Sequence, residues 1–223
     1  MEILSHRGIG FGEKENSTES FKKALTSGFG LEIDVRLGIN GGVVIGHDPP
    51  SSDAASLLEV AAVVKTSHNT VAVHLKEQVE EVWRPVCEAF SGRPNIFLFD
   101  PAIETAKAIK FAFPDIKLAF SVGEQHYSPT IYLLEEVLIL PECDYIWWDE
   151  WVRAGSVYNK RQLEKIRSTD KHLYVISPEL HKSTNPPHQQ AEVPEQCWAQ
   201  LAAFGVDGIC TDFPQQLDDF INQ

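Results

Sequence analysis

Two histidines near the start of the chain have the type and the placement that acid–base chemistry requires. His6 ends a short apolar strand pattern, and His47 ends another, over 43–45, so both imidazoles lie where loops begin. One imidazole can deprotonate a nucleophile while the other protonates a leaving oxygen, because the ordinary pKa of histidine lies near working pH. Arg7 adds a planar, permanently charged group for phosphate oxygens. These residue types are those that cleavage of a phosphodiester needs.

A pair of carboxylates follows on the next predicted strand. Glu32 and Asp34 are two residues apart, so they project to one side of the strand while Ile33 and Val35 pack against the other. Two carboxylates held this close repel each other unless a proton or a cation neutralises them. A hard divalent cation is the usual partner at neutral pH, which favours Mg²⁺ or Ca²⁺ over Zn²⁺.

Together these segments carry a family resemblance. The N-terminal motifs, and a C-terminal segment 205–214 that is typical of a last barrel strand, resemble the glycerophosphodiester phosphodiesterase family of the phospholipase C-like phosphodiesterase superfamily. The similarity spans nearly the whole chain. The N-terminal segments that carry it are Ser5-His6-Arg7-Gly8, Glu15-Asn16-Ser17-Thr18, Phe21-Lys22-Lys23-Ala24, Glu32-Ile33-Asp34-Val35 and His47-Asp48.

The resemblance implies a single TIM (β/α)8 barrel over 1–223 and a metal-dependent hydrolase that converts a small glycerophosphodiester to glycerol phosphate and an alcohol. It implies that the glycerol hydroxyl beside the phosphate is the internal nucleophile, giving a cyclic phosphate that is then hydrolysed. The implied roles are His6 and His47 as the acid–base pair, Glu32 and Asp34 as metal ligands, Arg7 and Lys76 as phosphate contacts, and Glu15 and Asn16 as further residues that bind substrate or support the site.

The third metal ligand departs from the family pattern, which has Glu-x-Lys where this chain has His74-Leu75-Lys76. We expect Asp100 to be the third ligand, because an acid that closes an apolar strand points at the same barrel mouth. The alternative is His74, whose nitrogen would shift the preference towards metals such as Mn²⁺. His74 could instead be a hydrogen-bonded histidine of the barrel interior, and Asp100 could be a helix cap before Pro101.

A second departure is the absence of the family's capping insertion after Asp48, where the chain passes from Pro49-Pro50 into a helical pattern at Leu57. In this it resembles a small, insertion-free branch of the family and the sphingomyelinase D type enzymes, which often release a cyclic phosphate. Three alternatives stay open. The first is a lyase that stops at the cyclic phosphate of a glycerophosphodiester or lysophospholipid. The second, suggested by the absent Glu before Lys76, is a phosphoester-binding barrel without turnover, and the third is a structural or interaction protein with an acidic surface.

Composition agrees with one globular domain. A chain of 223 residues suits one barrel, since a TIM barrel runs from roughly 200 residues upwards. A formal net charge of −13 argues against a nucleic-acid partner. We find no apolar run that predicts export or stable membrane insertion, and four scattered cysteines read as free thiols, so we expect a cytoplasmic protein. The oligomeric state is not predicted.

Short apolar segments alternate with amphipathic ones along the chain, as in a parallel barrel. The predicted strands are Glu2–Ser5, Leu31–Leu37, Val71–Leu75, Ile96–Phe99, Lys117–Ser121, Tyr145–Trp148, Leu173–Ser177 and Gly208–Thr211. The predicted helices include Ser17–Ser27, Val79–Phe90, Ile103–Phe113, Lys160–Ser168 and Glu195–Phe204. The Asn40-Gly41-Gly42 turn predicts that His47 arrives on a hairpin beyond the second strand.

Polar residues at the ends of later strands extend the list of candidates. Asp149 and Glu179 follow two of these strands, so we expect both to contact substrate at the mouth of the barrel. The aromatic segment 146–151 is either core packing or a wall against the alcohol group of the substrate. The segment Lys182–Pro194 is predicted to be a surface loop that could cover the site.

Overall fold

The structure is a computed structural model, and it describes residues 1–150, 160–181 and 194–222. The strands are β1 Glu2–His6, β2 Gly30–Leu37, β3 Val43–Ile45, β4 Val71–Leu75, β5 Ile96–Phe99, β6 Lys117–Val122, β7 Ile131–Tyr132, β8 Tyr145–Trp148, β9 His172–Ile176 and β10 Gly208–Thr211. The helices are α1 Thr18–Thr26, α2 Leu57–Val64, α3 Glu80–Phe90, α4 Ile103–Ala112, α5 Leu134–Leu138, α6 Lys160–Arg167, α7 Pro194–Phe204 and α8 Pro214–Ile221, with a 3₁₀ turn at Pro178–His181.

Eight parallel strands close into a barrel. The order around it is β1, β2, β4, β5, β6, β8, β9 and β10, and β1 pairs with both β2 and β10. β3 pairs antiparallel with the end of β2, and β7 adds to β6. Helices lie between successive strands, so the fold is a single TIM barrel, as predicted.

Side chains alternate between two apolar layers along each barrel strand. Those that point outwards pack against the helices, as Ile33 and Val35 of β2 do. Those that point inwards fill the barrel, where Phe97, Phe99 and Trp147 are buried against one another. This inner apolar layer lies below the polar residues at the carboxyl ends of the strands.

The first helix fixes the loop that precedes it. The hydroxyl of Ser17 accepts a hydrogen bond from the backbone N–H of Ser20, and the hydroxyl of Ser20 accepts one from the backbone N–H of Ser17. A reciprocal cap of this kind contributes about 1 kcal/mol. Because Asn16 directly precedes this cap, its position is set by the start of α1.

All eight predicted barrel strands are confirmed, and so is the hairpin that brings in His47. The strand β7 and the helices α5 and α8 were not predicted. Among the helices in the described ranges, none combines the length and the apolar character that crossing a bilayer requires.

Candidate functional site

Polar residues from the carboxyl ends of several strands border one cleft of about 150 Å³. Its walls include His6 and Arg7 from the end of β1, Glu32 and Asp34 from β2, and His74 from β4. Active sites of parallel barrels lie at this end because the loops after all the strands meet there. A larger open groove of about 640 Å³ adjoins the cleft and shares His47 with it.

Glu32, Asp34 and His74 form the centre of the site. One ligand atom from each lies within 4.8 Å of the others. Asp34 and His74 are directly opposite in the β2–β4 pairing, and His74 Nδ1 lies 3.0 Å from Asp34 Oδ1 and 4.0 Å from Glu32 Oε1. Two buried carboxylates and an imidazole are suitable donors for a divalent cation, so these residues fit the metal that the resemblance implies.

The charges in this cluster shift its pKa values in opposite directions. Burial, reinforced by the charge of Asp34, raises the pKa of Glu32 to about 7. Burial also acts to raise the pKa of Asp34, but the hydrogen bond and charge of His74, with the charges of Lys76 and Arg7, hold it well below its usual value. Burial alone would lower the pKa of His74, yet its carboxylate partners raise that pKa to about 9.

Asp100 contacts the side of the His74 imidazole that faces away from the two carboxylates. Its Oδ2 lies 3.1 Å from His74 Nε2, and its Oδ1 accepts a hydrogen bond from the hydroxyl of Ser121. The ring of His74 also stacks on Phe99, with centroids 4.4 Å apart. A carboxylate in this position fixes the tautomer and the orientation of a metal-binding imidazole. The structure therefore places His74, the alternative third ligand, in the cluster. Asp100, the expected third ligand, contacts His74 instead.

Cations and an amide surround Asp34. Arg7 Nε lies 3.3 Å from Asp34 Oδ2, and Lys76 Nζ lies 3.7 Å from Oδ1. The amide of Asn16 donates to Asp34 Oδ2 at 3.3 Å, so Asn16 supports the carboxylate. Glu15 is half exposed and lies 3.4 Å from Arg7 Nη1. The two cations predicted to contact phosphate are therefore adjacent to the candidate metal cluster.

The two histidines have different surroundings. His6 Nδ1 lies 2.8 Å from Asp212 Oδ1, and its side chain is 19% exposed. His47 Nδ1 lies 3.0 Å from Asp48 Oδ1, and its side chain is 40% exposed. The backbone carbonyl of His47 accepts a hydrogen bond from Arg36 Nη1 at 3.0 Å, which ties the loop to β2.

Their pKa values move apart accordingly. Burial acts to lower the pKa of His6, but its hydrogen bond to Asp212 and the charge of Glu32 outweigh burial and raise it. Burial, with the charges of Lys76 and Arg7, lowers the pKa of His47 despite its bond to Asp48. A raised pKa suits a proton donor and a lowered one suits a proton acceptor.

Three residues of the site have left-handed backbone conformations. These are Arg7 with φ 53°, Asn16 with φ 52° and Asp100 with φ 63°, and they are the non-glycine residues with positive φ in the described ranges. Each such residue costs on the order of 1–3 kcal/mol, least for Asn and Asp. That all three border one cluster indicates that the fold holds these side chains against a local preference.

The comparisons with known proteins concern the fold. No protein-family model and no curated protein matches the sequence. Among solved structures, an Oleispira antarctica phosphodiesterase in complex with its product sn-glycerol-3-phosphate has a TM-score of 0.75 at 18% identity, covering 100% of this chain and 97% of that one. The chain has the fold of glycerophosphodiester phosphodiesterases.

Two further structures of that fold agree. A glycerophosphodiester phosphodiesterase from Agrobacterium tumefaciens has a TM-score of 0.68 at 15% identity and covers 100% of this chain and 99% of that chain. A glycerophosphoryl diester phosphodiesterase from Parabacteroides distasonis has a TM-score of 0.69 at 16% identity and covers 99% of this chain and 86% of that chain. At this identity the similarity is one of fold.

The remaining predicted residues differ in whether they border the cleft. Asp149 borders the cleft, as does Trp147, whose ring stacks on Phe99 at 4.4 Å. Trp148 instead points outwards into the helix layer. Glu179 is not among the described residues that border the cleft, and its carboxylate accepts hydrogen bonds from Ser177, Thr211 and the backbone of Asp212. Trp151 and residues 182–193 lie outside the described residues.

Sequence reasoning gave no role to Asp212 or Arg36. Asp212 directly follows the last predicted strand, Gly208–Thr211, and the first and last strands are neighbours in any closed eight-stranded barrel. The pairing of Ser5 with Thr211 then places Asp212 beside His6. Arg36 offered no such signal, because its contact with the carbonyl of His47 depends on the path of the hairpin.

Proposed function

We propose that the protein is a phosphodiesterase that hydrolyses a glycerophosphodiester to glycerol phosphate and an alcohol, assisted by a divalent cation. The observation that carries this proposal is the convergence of two histidines with opposite pKa shifts, His6 and His47, on the cleft that also holds Arg7 and the cluster of Glu32, Asp34 and His74. The product complex of the Oleispira antarctica structure, which has the same fold, supports the choice of substrate class.

Glu32, Asp34 and His74 would hold the cation, with Asp100 orienting the imidazole. When bound, the cation supplies Lewis-acid charge at a phosphate oxygen. An imidazole among the ligands favours Mn²⁺ more than an all-oxygen site does, although Mg²⁺ and Ca²⁺ are compatible with the two carboxylates.

The side chains of this chain account for the remaining steps. Arg7 and Lys76 stabilise negative charge on the phosphate oxygens. His47 accepts the proton of the glycerol hydroxyl as its oxygen forms a bond to phosphorus, and His6 donates a proton to the alcohol oxygen as its bond to phosphorus breaks. Water then opens the resulting cyclic phosphate with the two roles exchanged. His6 takes the proton of water as the water oxygen forms a bond to phosphorus, and His47 returns a proton to the glycerol oxygen as its bond to phosphorus breaks.

The proposal is tested by steady-state release of glycerol phosphate from glycerophosphocholine with Mn²⁺ or Mg²⁺ present. His6→Ala and His47→Ala are each expected to lower kcat by about 10²- to 10⁴-fold, the usual contribution of a general acid or base. His68→Ala is the matched control, because His68 is exposed and lies near the opposite end of the barrel, and it should keep wild-type activity. Near-normal turnover by His47→Ala would contradict the assignment.

The cysteines bear on the compartment. Cys87, Cys143, Cys197 and Cys210 are free, and burial raises the pKa of each thiol. Free, unreactive thiols are typical of proteins kept in a reducing compartment. These features support a location in the cytoplasm.

A further inference from the structure

We infer that Glu179 is a positioning residue that holds Asp212 against the general acid His6, and that it does not act by contacting substrate. The inference rests on the proposed function, in which His6 protonates the leaving alcohol. It replaces the expectation that Glu179 borders the mouth of the barrel.

Both oxygens of the Glu179 carboxylate are occupied by protein donors. Oε1 accepts from the backbone N–H of Asp212 at 3.1 Å and from the hydroxyl of Thr211. Oε2 accepts from the hydroxyl of Ser177. A carboxylate that already accepts three hydrogen bonds has little capacity left for a substrate hydroxyl or ammonium group.

The donors themselves are anchored in the core. Ser177, Thr211 and Trp198 are fully buried. The indole N–H of Trp198 on α7 donates to the hydroxyl of Ser177 at 2.7 Å, and the backbone N–H of Ser177 donates to the carbonyl of Cys210 at 2.9 Å. The carboxylate therefore links three parts of the chain, namely the 3₁₀ turn after β9, the end of β10 and α7.

The link reaches the reacting groups through Asp212. This residue follows the last residue of β10, and its backbone N–H is bound by Glu179 while its Oδ1 lies 2.8 Å from His6 Nδ1. Holding the backbone of Asp212 thus fixes the carboxylate that sets the tautomer and ring orientation of His6. A displacement of about 1 Å in a catalytic group can lower the rate about 10²-fold, so this anchor has a measurable consequence.

The experiment compares two substrates that differ in their need for a proton donor. Glycerophosphocholine releases an alkoxide oxygen that must be protonated, whereas the p-nitrophenyl diester of glycerol phosphate releases p-nitrophenolate without a proton. We expect Glu179→Ala to lower the first-turnover rate of choline release from glycerophosphocholine, and kcat with it, by about 10- to 100-fold with KM little changed. For the p-nitrophenyl diester, the first-turnover rate of p-nitrophenolate release, which precedes the water step in which His6 acts as a base, should fall by less than about threefold.

Glu179→Gln is the matched variant, because its amide oxygen can still accept from the N–H of Asp212 and should restore most of the activity. A rise in KM, an equal loss of the first-turnover rate with both substrates, or no loss at all would overturn the inference. If thermal unfolding shows that Glu179→Ala does not fold, Ser177→Ala removes the donor to Oε2 and the acceptor of the Trp198 N–H but leaves Oε1 on the N–H of Asp212, and should give a smaller effect of the same kind.

A second readout does not depend on turnover. The proton shared by His6 Nδ1 and Asp212 should give a low-field proton resonance, identified by its loss in His6→Ala. It should persist in Glu179→Gln and broaden or disappear in Glu179→Ala; an unchanged resonance in Glu179→Ala would refute the positioning role. If the wild-type protein turned over neither substrate, the proposed function would be wrong, and this resonance would still decide whether Glu179 holds the His6–Asp212 pair.

Discussion

Replacing Asp100 by Asn is expected to weaken metal binding through the tautomer of His74. In the native protein the carboxylate of Asp100 faces His74 Nε2 at 3.1 Å and so keeps a proton on that nitrogen. Nδ1, which faces Asp34 and Glu32, is then free to bind a metal once it has lost its own proton. In the variant, the Asn amide can accept from Ser121 with its oxygen and donate to His74 with its nitrogen. The imidazole proton then moves to Nδ1 and blocks the ligand atom.

The expected loss of metal affinity follows from the hydrogen bond between Asp100 and the candidate ligand His74. Loss of such a hydrogen bond typically costs 10- to 100-fold in metal affinity, or about 1.4–2.7 kcal/mol. The backbone of Asp100 has φ 63°, a conformation that Asn tolerates as well as Asp does, so the substitution adds little strain. A change in Kd can therefore be attributed to the side chain.

Isothermal titration calorimetry with Mn²⁺ on chelator-treated protein measures this Kd directly. Asp48→Asn is the matched control, since it removes the same charge from the same end of the barrel at a side chain that is 86% exposed and bonded to His47. That control should change Kd by less than about fivefold, because exposed charges interact weakly. Wild-type affinity in Asp100→Asn, or equal losses in both variants, would refute the reasoning.

Two further predictions concern stability, each measured by urea denaturation. Burial acts to raise the pKa of Asp144, but hydrogen bonds from Lys110, the backbone of Leu118 and Lys117 outweigh it and hold that pKa below its usual value. The stabilisation by the ionised Asp144 is thus present above its unfolded-state pKa and is lost as the pH falls through its folded-state pKa. Asp144→Asn should therefore lower the free energy of unfolding by about 1–3 kcal/mol at neutral pH and by less in acid. A loss that does not change with pH would contradict this. Asn16→Ala should be less stable than Asn16→Gly by about 1 kcal/mol, because only the glycine adopts φ 52° without strain; equal stabilities would argue against the left-handed conformation.

Much of the barrel could be predicted because its signals are local and repeated. The two-residue period in β2 placed Glu32 and Asp34 on one side and Ile33 and Val35 on the other, and the structure confirms this arrangement. The rule that the carboxyl ends of parallel strands meet then brought residues from distant segments to one end. The strand β7 has only two residues, too few to give a periodic pattern.

The sequence alone does not decide whether Asp100 or His74 is the candidate third metal ligand, and the reason is physical. The choice depends on strand register, since His74 is directly opposite Asp34, and on the left-handed backbone of Asp100. Neither is encoded in a short sequence pattern. Glu179 presents the same difficulty, because a strand-end acid can face either the mouth of the barrel or the neighbouring strand end.

Phosphorus NMR of a glycerophosphodiester incubated with the protein tests the proposed function most directly. Mixtures with Mn²⁺, Mg²⁺ or Ca²⁺, a chelator control and His47→Ala would be compared, with the metal removed before spectra are recorded. The proposed mechanism predicts a metal-dependent resonance of glycerol phosphate that is absent with the chelator and greatly reduced in His47→Ala. A cyclic phosphate that persists would instead identify a lyase, and no conversion with any of the three metals would contradict the catalytic assignment.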